Sequence, residues 1–600
     1  MNTAGARVWA NMTERSARER KPIAIVLDDI VYSAPIASER IEGGSSRITM
    51  GRGSANNRQL VVEEAQDLAN ILKSGKLEAP ARIVQEQVVG PTLGQEAVNG
   101  GIMSFIIAFA VIFILMLVYY NTSGIVANIA LILNLLFTFG ILSAMNATLT
   151  AAGIAGIVLT IGVAVDTNVV IFERIKDELR RGLSHEQAVK AGYRLSLPPV
   201  IDANITSLLT AIILFTYGLG PILGFATTQI IGILMAMFTG ILVSRVITDA
   251  YTNKTRHFKY FTSVSKSWFK NANFQFIKYR KYAYMLSGII LLLGLGTIFN
   301  GFKQGVEFSG GRSFIVKFDA PQSSEDIRAS LQDVFNESPI VKTYGISNNQ
   351  FDITTDYLIN QEGLATDSMV RNTLFTGLKS YLPENLTAEE FAKNHILQTK
   401  RVDPTISDDL KNGAKWATFW SVLVMALYIF IRFRDWRYSM GAIVALIHDV
   451  LVILIVFSYF KDIVPFPLEI DQHFIAAILT VIGFSINDTV IIYDRIREDS
   501  RNLKGVDKAT IINGAINKTL SRTIMTSLTV FLTLLVLFLV GSEVTRGFAF
   551  AMLIGVITGA YSTIFVAAPI LIDVAKGRPL GDTNLAAQND PVVRKPVGVK

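Results

Sequence analysis

Two copies of one motif place carboxyl groups inside apolar sequence, 321 residues apart. The first copy, GVAVDTNVVIFERIK, begins at Gly162, and the second, GFSINDTVIIYDRIR, begins at Gly483. The copies align without a gap, so Asp166 lies opposite Asn487, and Asp488 follows one position later. Carboxyl groups inside a bilayer are costly and mark ion or proton pathways, and duplicated membrane halves are typical of transporters. The motif therefore predicts a site of proton or ion movement shared by two related halves.

A base and a further acid lie at matching positions in the helices that follow the motifs. The Thr-Ser pairs of these helices align at Ser207 and Ser527, which puts Asp202 opposite Arg522. An arginine beside Asp488 would favour the ionised carboxylate, and protonation would weaken that pair. We therefore expect a proton relay that drives movement. The alternative is that Arg522 reaches to the membrane interface and that the acids merely end their helices there.

His448 and Asp449 form a second polar pair inside an apolar run. They are candidates for proton transfer, although a polar contact between helices explains such a pair equally simply, and we favour packing. The charged residues where the motif helices leave the membrane are predicted to be interfacial anchors rather than pathway residues: Glu173, Arg174, Asp494 and Arg495.

The composition is that of an integral membrane protein, with 50% hydrophobic and 18% charged residues. The net charge of +7 comes from basic residues clustered in loops, which indicates the positive-inside rule rather than nucleic-acid binding. The chain has no cysteine, no P-loop and no histidine spacing typical of zinc. We therefore predict neither an enzyme nor a metal or cofactor site, and an ion gradient as the energy source.

Eleven runs are long enough, or nearly so, to cross a bilayer, which needs about 20 apolar residues. They are predicted at 102–120, 125–145, 149–171, 201–218, 222–245, 282–301, 414–432, 438–459, 473–493, 522–541 and 547–572. The connection 172–200 carries six Lys or Arg and Arg245–Lys281 carries nine, so these loops are expected in the cytoplasm. The segments 1–101 and 302–413 then lie on the other side.

These two outer segments predict small α+β domains. Strands are predicted at 21–30, 313–318 and 351–355, and helices at 59–73 and 324–335. The predicted fold is a polytopic α-helical membrane protein with two pseudo-repeated bundles, each preceded by such a domain, and the span before residue 1 is expected to be missing. The predicted parts are a partial first outer domain (1–101, base region), a first membrane half (102–245, five spans), a cytoplasmic linker (246–281), one span (282–301), a second outer domain (302–413), a second membrane half (414–572, five spans) and a disordered tail (573–600).

Further motifs give the chain a family resemblance. VGPTLG at 89–94, VEFSGG at 306–311 and ALIHDV at 445–450 accompany the two long motifs. From its first residues to about 572, the chain resembles the fused SecDF protein-export membrane proteins of the resistance–nodulation–division superfamily. Two departures are Asp403, where the second Val-Gly-Pro motif usually has glycine, and Glu307, where aspartate is usual. The mobile head of the first outer domain is expected to be absent.

The resemblance implies a function and partners. It implies an accessory subunit of the Sec translocase in the cell inner membrane, where proton flow drives the outer domains to pull and release unfolded preprotein. It implies the SecYEG channel, the SecA motor and a YajC-like subunit as partners. By matching position, the family's proton-pathway residues fall on Asp166, Asp488 and Arg522, with Asp202, His448, Asp449 and Asn487 as secondary candidates. Na⁺ is the alternative coupling ion.

Two other functions stay open. The chain could be a proton-driven efflux or lipid transporter of the same superfamily, although 302–413 is small for an outer domain that captures such substrates. It could also be a scaffold of the translocase that conducts no protons. In that role Asp488 and Arg522 would be dispensable. The energetic cost of burying these two charged side chains argues against it.

Overall fold

The computed structural model describes residues 2–27, 30–49, seven residues between 62 and 73, and 85–575 except 219, 254, 268–271, 346, 347, 360, 362, 363, 465 and 504. The described chain forms two compact units, residues 1–84 and 85–600. The predicted helix 59–73 lies mostly outside the described residues, as does the predicted tail beyond residue 575.

The first unit is a helix followed by a short hairpin. Helix α1 spans Thr3–Glu19, and strands β1 (Ile25–Leu27) and β2 (Ile30–Ser33) pair antiparallel. The sequence analysis predicts one strand over 21–30 and misses α1. Thr13 and Ser16 on α1 are buried and bind the backbone N–H groups of later residues, at 3.0 Å from Ile41 and 3.1 Å from Ala37. Hydroxyl side chains thus tie α1 to the chain after the hairpin.

The second unit contains eleven described helices that are long and apolar enough to cross a membrane. In chain order its elements are β3 (Gln85–Val89), α2 (Pro91–Tyr120), α3 (Ser123–Ala144), α4 (Ala151–Arg180), α5 (His185–Tyr217), α6 (Pro221–Tyr251), α7 (Ser263–Ser267), α8 (Arg280–Asn300), β4 (Lys303–Gln304), α9 (Val306–Ser309), β5 (Gly311–Lys317), α10 (Ser324–Phe335), β6 (Ile340–Thr343), β7 (Gln350–Thr355), α11 (Leu364–Leu378), α12 (Ala388–Asn394), β8 (Ile396–Val402), α13 (Pro404–Phe433), α14 (Trp436–Tyr459), β9 (Glu469–Ile470), α15 (Gln472–Asn502), α16 (Lys508–Val540) and α17 (Glu543–Val574).

Each predicted span coincides with one of the long helices and extends past its ends by two residues at most, so the predicted polytopic α-helical fold is confirmed. The first and seventh spans begin earlier than their apolar runs, at Pro91 and Pro404. Their first turns are polar because they rise from the membrane toward a soluble domain. The short run 201–218 is the apolar half of α5, a 33-residue helix whose other half is polar.

The second soluble domain is a five-stranded antiparallel sheet in the order β3-β8-β5-β7-β6. Phe314 and Val316 of β5 pack against Ile327 and Leu331 of α10, and all four are buried. Strand β3 comes from the first half of the chain yet pairs with β8, from Gln85 opposite Val402 onward. One sheet therefore joins the two halves. We call the bundle end that carries this domain the domain face, and the other end the basic face.

The duplicated proline motif ends strands β3 and β8 in the same way. Strand β3 gives way to α2 at Pro91, and β8 gives way to α13 at Pro404. Proline suits the first helical position because no hydrogen bond is expected from its nitrogen there. Asp403 accepts a hydrogen bond from the N–H of Thr405 at 2.9 Å, so it caps α13. A Cβ at Gly90 would lie 2.8 Å from the carbonyl oxygen of Leu397, so a side chain at this position would clash with the backbone of β8.

The two motif helices occupy the centre of the bundle. In α4 94% of the most apolar 18-residue window is buried and in α15 83%, whereas no other spanning helix exceeds 61%. Helix α4 packs against α16 of the other half, and α15 packs against α5. The glycines that open the two motifs make these crossings close: a Cβ at Gly162 would lie 3.1 Å from Val530 Cα, and one at Gly483 would lie 3.4 Å from Ser207 Cα. Small residues at helix contacts let backbones approach in this way.

Gly162→Val should destabilise the contact between the two halves. Backbone atoms of α16 leave no room for the added side chain, so we expect a loss of about 1–3 kcal/mol, typical of overpacking. Thermal unfolding in detergent would measure it. Gly514→Val is the matched control, because this helical glycine has no neighbour within 4 Å of an added Cβ. Equal losses in the two variants would contradict close packing at Gly162.

Candidate functional site in the helix bundle

The aligned polar residues of the two motifs meet through their side chains, between α4 and α15. The amide nitrogen of Asn487 donates to Asp166 Oδ2 at 2.9 Å, and each side chain is at most 8% exposed. The other oxygen, Asp166 Oδ1, has no hydrogen-bond partner among the described residues. The structure therefore brings together the residues that the alignment placed opposite each other, and it leaves one carboxylate oxygen available.

Asp488 faces the next helix of its own half. Thr526 Oγ1 and Ser527 Oγ of α16 each lie 3.2 Å from a different oxygen of its carboxylate. Asp166 and Asp488 both line a cavity of about 30 Å³. A cavity needs about 10–15 Å³ to hold one water molecule. The two carboxyl groups thus share a small polar space with room for water.

Arg522 lies on α16, one helical turn before Thr526. Its Nε and Nη2 donate to no described group, and it forms no ion pair within 4.0 Å in the described chain. Its strongest attractions are to Asp166 and then to Asp488. The structure shows no direct pair between Arg522 and Asp488, because the hydroxyl groups of Thr526 and Ser527 contact the Asp488 carboxylate instead.

A large cavity opens from Arg522 to the basic face. It has a volume of about 860 Å³, and its lining includes the ends of α4, α15 and α16. Four acids and eight bases line it: Glu173, Asp177, Asp494, Glu498, Arg174, Arg180, Arg181, Lys278, Arg280, Arg495, Lys518 and Arg522. We call this cavity the vestibule. Arg522 thus lies between the vestibule and the buried carboxylates.

Glu173 and Lys176 anchor this wall from inside the bundle rather than at its surface. Glu173 is 6% exposed and Lys176 is fully buried, with Lys176 Nζ 2.8 Å from Glu173 Oε1. Ser521 donates to Glu173 Oε2 at 3.0 Å, and the Tyr119 hydroxyl lies 3.0 Å from Ser521 Oγ. Glu173 therefore holds Ser521, the residue beside Arg522. The prediction that Glu173 is an interfacial anchor is corrected, because its side chain is buried inside the bundle. Lys176 was predicted to be one of the six loop cations, although its spacing of three from Glu173 could have indicated the ion pair.

Lys176→Met should destabilise the protein strongly. The Glu173 carboxylate would stay buried without its cation, and breaking a buried ion pair costs about 3–5 kcal/mol. Unfolding in a denaturing detergent would measure the loss. Adding Glu173→Gln should recover most of it. Lys190→Met is the matched control, because Lys190 forms an exposed pair with Glu186; a similar loss there would show that burial is not the cause.

Asp202 lies away from the two central acids. The Tyr428 hydroxyl donates to its Oδ1 at 2.7 Å, and Arg432 Nε donates to its Oδ2 at 2.5 Å. Arg432 also lies 3.5 Å from Asp494. Asp202 therefore joins α5 to α13 by an ion pair, and the structure does not bring it to the Asp166 carboxylate. Its partner was missed because Arg432 ends a span that is distant in sequence.

His448 and Asp449 are buried in α14 at a second polar contact. Asp449 Oδ2 accepts from Ser485 Oγ at 2.6 Å and from Ser562 Oγ at 2.8 Å, while His448 Nδ1 lies 3.2 Å from Asp449 Oδ1. Ser485 also lines the small cavity of Asp488. The pair thus joins three helices, and its partner Ser485 lies three residues before Asp488 on α15.

The remaining charges of the motifs form ion pairs at the basic face. Arg174 and Arg495, which are aligned in the two copies, both contact Glu498, at 3.3 and 3.1 Å. One acid thus links the ends of the two central helices. Arg174 and Arg495 therefore anchor these helix ends together.

Three family models match the chain. "Protein export membrane protein SecD/SecF, C-terminal" matches residues 70–254 and 383–577, "SecD/SecF GG Motif" matches 296–322, and "SecDF, P1 head subdomain" matches 1–79. The match to residues 1–79 corrects two expectations. The head was expected to be absent, and these residues were expected to belong to the base of the first outer domain. In the GG motif, Gly310 and Gly311 have φ values of 75° and 113°, a region that favours glycine.

Similar proteins cover nearly the whole chain. The protein translocase subunit SecDF of Thermus thermophilus is 34% identical over 95% of this chain and 73% of its own length. SecDF of Brucella abortus is 31% identical over 95% of this chain and 71% of its own. The crystal structure of SecDF from Thermus thermophilus, a translocon-associated membrane protein, superposes with a TM-score of 0.74 and 32% identity over 94% of this chain and 74% of that one. With these matches and the central motifs, the chain belongs to the SecDF family of multi-pass membrane protein translocase subunits.

Proposed function

We propose that this translocase subunit uses the proton-motive force to promote translocation and release of preproteins across the membrane. One observation carries the proposal: two carboxyl groups are buried where the two central helices meet, and an arginine lies between them and a polar vestibule. Membership of the SecDF family supports the translocase role. Burial of Asp166 and Asp488 supports the energy source, because charges at such depth mark proton or ion pathways.

Protonation of Asp488 would change how α15 and α16 fit together. The ionised carboxylate accepts from Thr526 and Ser527 and attracts Arg522, all of which lie on α16. A neutral carboxyl group loses the attraction to the guanidinium and accepts weaker hydrogen bonds. Each proton that binds therefore favours separation of the two helices, and each proton that leaves toward the vestibule favours their contact.

The energy available suffices to move a domain. One elementary charge that crosses 100 mV releases about 2.3 kcal/mol, which biases a two-state equilibrium about fifty-fold. The coupling ion is proposed to be H⁺, because the carboxyl groups share only a small cavity with hydroxyl and amide groups. Na⁺ is the second candidate, since oxygen atoms of these kinds also suit that ion. No resident cofactor is proposed.

The proposed partners are the SecYEG channel, the SecA motor, a YajC-like subunit and unfolded preprotein. The proposed location is the cell inner membrane, with the basic face in the cytoplasm and the domain face outside. The charge of the vestibule supports this orientation, since basic residues favour the cytoplasmic side. The second soluble domain would then meet preprotein as it emerges.

A pulse-chase experiment tests the proposal. Cells depleted of their own SecDF would receive this protein, and the maturation of a secreted precursor would be followed with and without an uncoupler. We expect rescue that the uncoupler removes. Rescue that persists in the uncoupler would favour a scaffold. A change in drug tolerance without rescue would favour an efflux or lipid transporter.

A further inference from the structure

The loop before α15 is attached to the second soluble domain by backbone and charge. Strand β9 pairs parallel with β4, and the N–H of Gly305 donates to the carbonyl oxygen of Ile470 at 3.0 Å. Lys342 of the sheet forms an ion pair with Glu469 at 2.9 Å and also donates to the carbonyl oxygen of Gln304 at 3.1 Å. Glu469 and Lys342 thus connect the outermost strand β6 to the loop that leads into α15.

A second buried ion pair lies beside the first. Lys400 of β8 lies 3.0 Å from Glu307 of α9, and Asp471 caps α15 by accepting from the N–H of Phe474 at 2.7 Å. These groups face a cavity of about 430 Å³ between the sheet and the domain-face ends of α2, α4, α15 and α17. Two ion pairs therefore border the cavity that lies between the sheet and the start of α15.

We propose that Glu307, Lys342, Lys400, Glu469 and Asp471 form a proton-responsive joint between the second soluble domain and α15. The same helix carries Asp488, which lies 17 residues after Asp471, or about 25 Å along a helix with a rise of 1.5 Å per residue. A displacement of α15 at Asp488 therefore reaches the domain through this joint. The inference rests on the proposed function for the force that moves α15.

The joint responds to protons through Glu469. The pKa of Glu469 is raised to about 7, mainly by burial; Asp352 and Asp471 also raise it, whereas Lys342 lowers it. Burial also raises the pKa of Asp471, whereas His473 lowers it. The charged groups that face the joint from its packed elements are Glu96 on α2, Glu307 on α9, Lys342 on β6, Asp352 on β7, Lys400 on β8, Asp471 and His473 at α15, and Glu543 and Arg546 on α17.

The sign of the response follows from the raised pKa. An exposed glutamate has a pKa of about 4.3, so the docked state, in which Glu469 is buried, binds the proton more tightly than an open state. Docking is therefore strongest at low pH and weakens as the pH rises from about 4.3 to 7, by up to about 500-fold in the docking equilibrium. Above that range no further loss is expected from Glu469. An acidic outer side would hold the joint closed.

Distance measurement by spin labels tests the joint in the full chain. The protein has no cysteine, so labels attach only to cysteines introduced at exposed Ser380 in the second soluble domain and exposed Asn146 in the α3–α4 loop. Distances would be recorded in lipid nanodiscs from pH 4.5 to 8. We expect the parent to open as the pH rises, and Glu469→Gln to show no such transition because its side chain is neutral at every pH.

Two further variants test whether the pH response belongs to Glu469. Lys342→Met should move the transition to higher pH, since Lys342 lowers the pKa of Glu469. Asp462→Asn is the matched control, because Asp462 joins the same loop to Lys303 at 2.7 Å but is exposed, and it should open like the parent. The proposed joint would be contradicted if the parent did not respond to pH. It would also be contradicted if Glu469→Gln responded to pH in the same way as the parent.

The joint and the proposed function can fail separately. Asp488→Asn leaves the joint groups unchanged, so this variant should show the parent's pH response even though its export is expected to fail. Loss of the pH response in Asp488→Asn would contradict a joint that responds to protons independently of Asp488. Failure of export to depend on the uncoupler, with the pH response intact, would instead contradict the proposed energy source alone.

Discussion

Asp488→Asn is expected to abolish the proton-dependent part of preprotein export. Asparagine keeps the size of the side chain and its contacts with Thr526 and Ser527, but it cannot exchange a proton. Without that exchange the bias of about fifty-fold that one charge draws from 100 mV is lost. Pulse-chase maturation of a secreted precursor should slow to the rate seen in the parent with an uncoupler, and the uncoupler should then have no further effect.

Asp202→Asn is the matched control for this prediction. Asp202 is buried to a similar degree, at 6% against 8% exposed, and belongs to the same class of intramembrane acid. It pairs with Arg432 and Tyr428 instead of facing the small cavity. We expect this variant to be less stable yet to keep uncoupler-sensitive export. If both variants lose uncoupler sensitivity equally, the effect belongs to buried acids in general and not to the Asp488 site.

Arg522→Met is expected to have the second largest effect, a reduction of about tenfold or more in uncoupler-sensitive export. The loss of a single charge interaction of about 1.4 kcal/mol already changes an equilibrium tenfold. The guanidinium lies between the vestibule and both carboxyl groups, and its charge favours proton release from them. Arg522→Lys should retain part of the activity, since the charge stays while the planar group is lost. The same pulse-chase assay measures both variants.

Arg180→Met controls for the charge of the vestibule. Arg180 lines the same cavity but forms an ion pair with Asp177 at 3.6 Å. This variant should export at close to the parent rate. An equal loss for Arg180→Met and Arg522→Met would mean that the total charge of the vestibule matters rather than the position of Arg522.

Much of the fold could be predicted because periodicity and composition are local signals. The eleven spans, helix α10 at Ser324–Phe335 and the strand-to-helix turns at Pro91 and Pro404 all follow from nearby residues. Helix α1 was missed because charged and polar residues dominate its sequence and no long apolar run marks it. Pairing of β3 with β8 joins residues more than 300 positions apart, and no local pattern indicates it.

The candidate site was predictable where the repeat itself carried the information. Alignment placed Asp166 opposite Asn487, and their side chains meet at 2.9 Å. It could not predict the partners of Asp202, because Arg432 belongs to a helix outside the aligned pair. Lys176 was counted among loop cations, although it is buried against Glu173, since charge alone does not reveal which way a helix turns.

The central claim is that a proton moves through the bundle by way of Asp488. The most direct test is proton flux into proteoliposomes that contain the purified full chain, driven by an imposed membrane potential and reported by a pH-sensitive dye inside. We predict flux for the parent and for Asp202→Asn, and none above empty liposomes for Asp488→Asn. Equal flux through Asp488→Asn would contradict the account, and flux of Na⁺ in place of H⁺ would show that the site couples to the other ion.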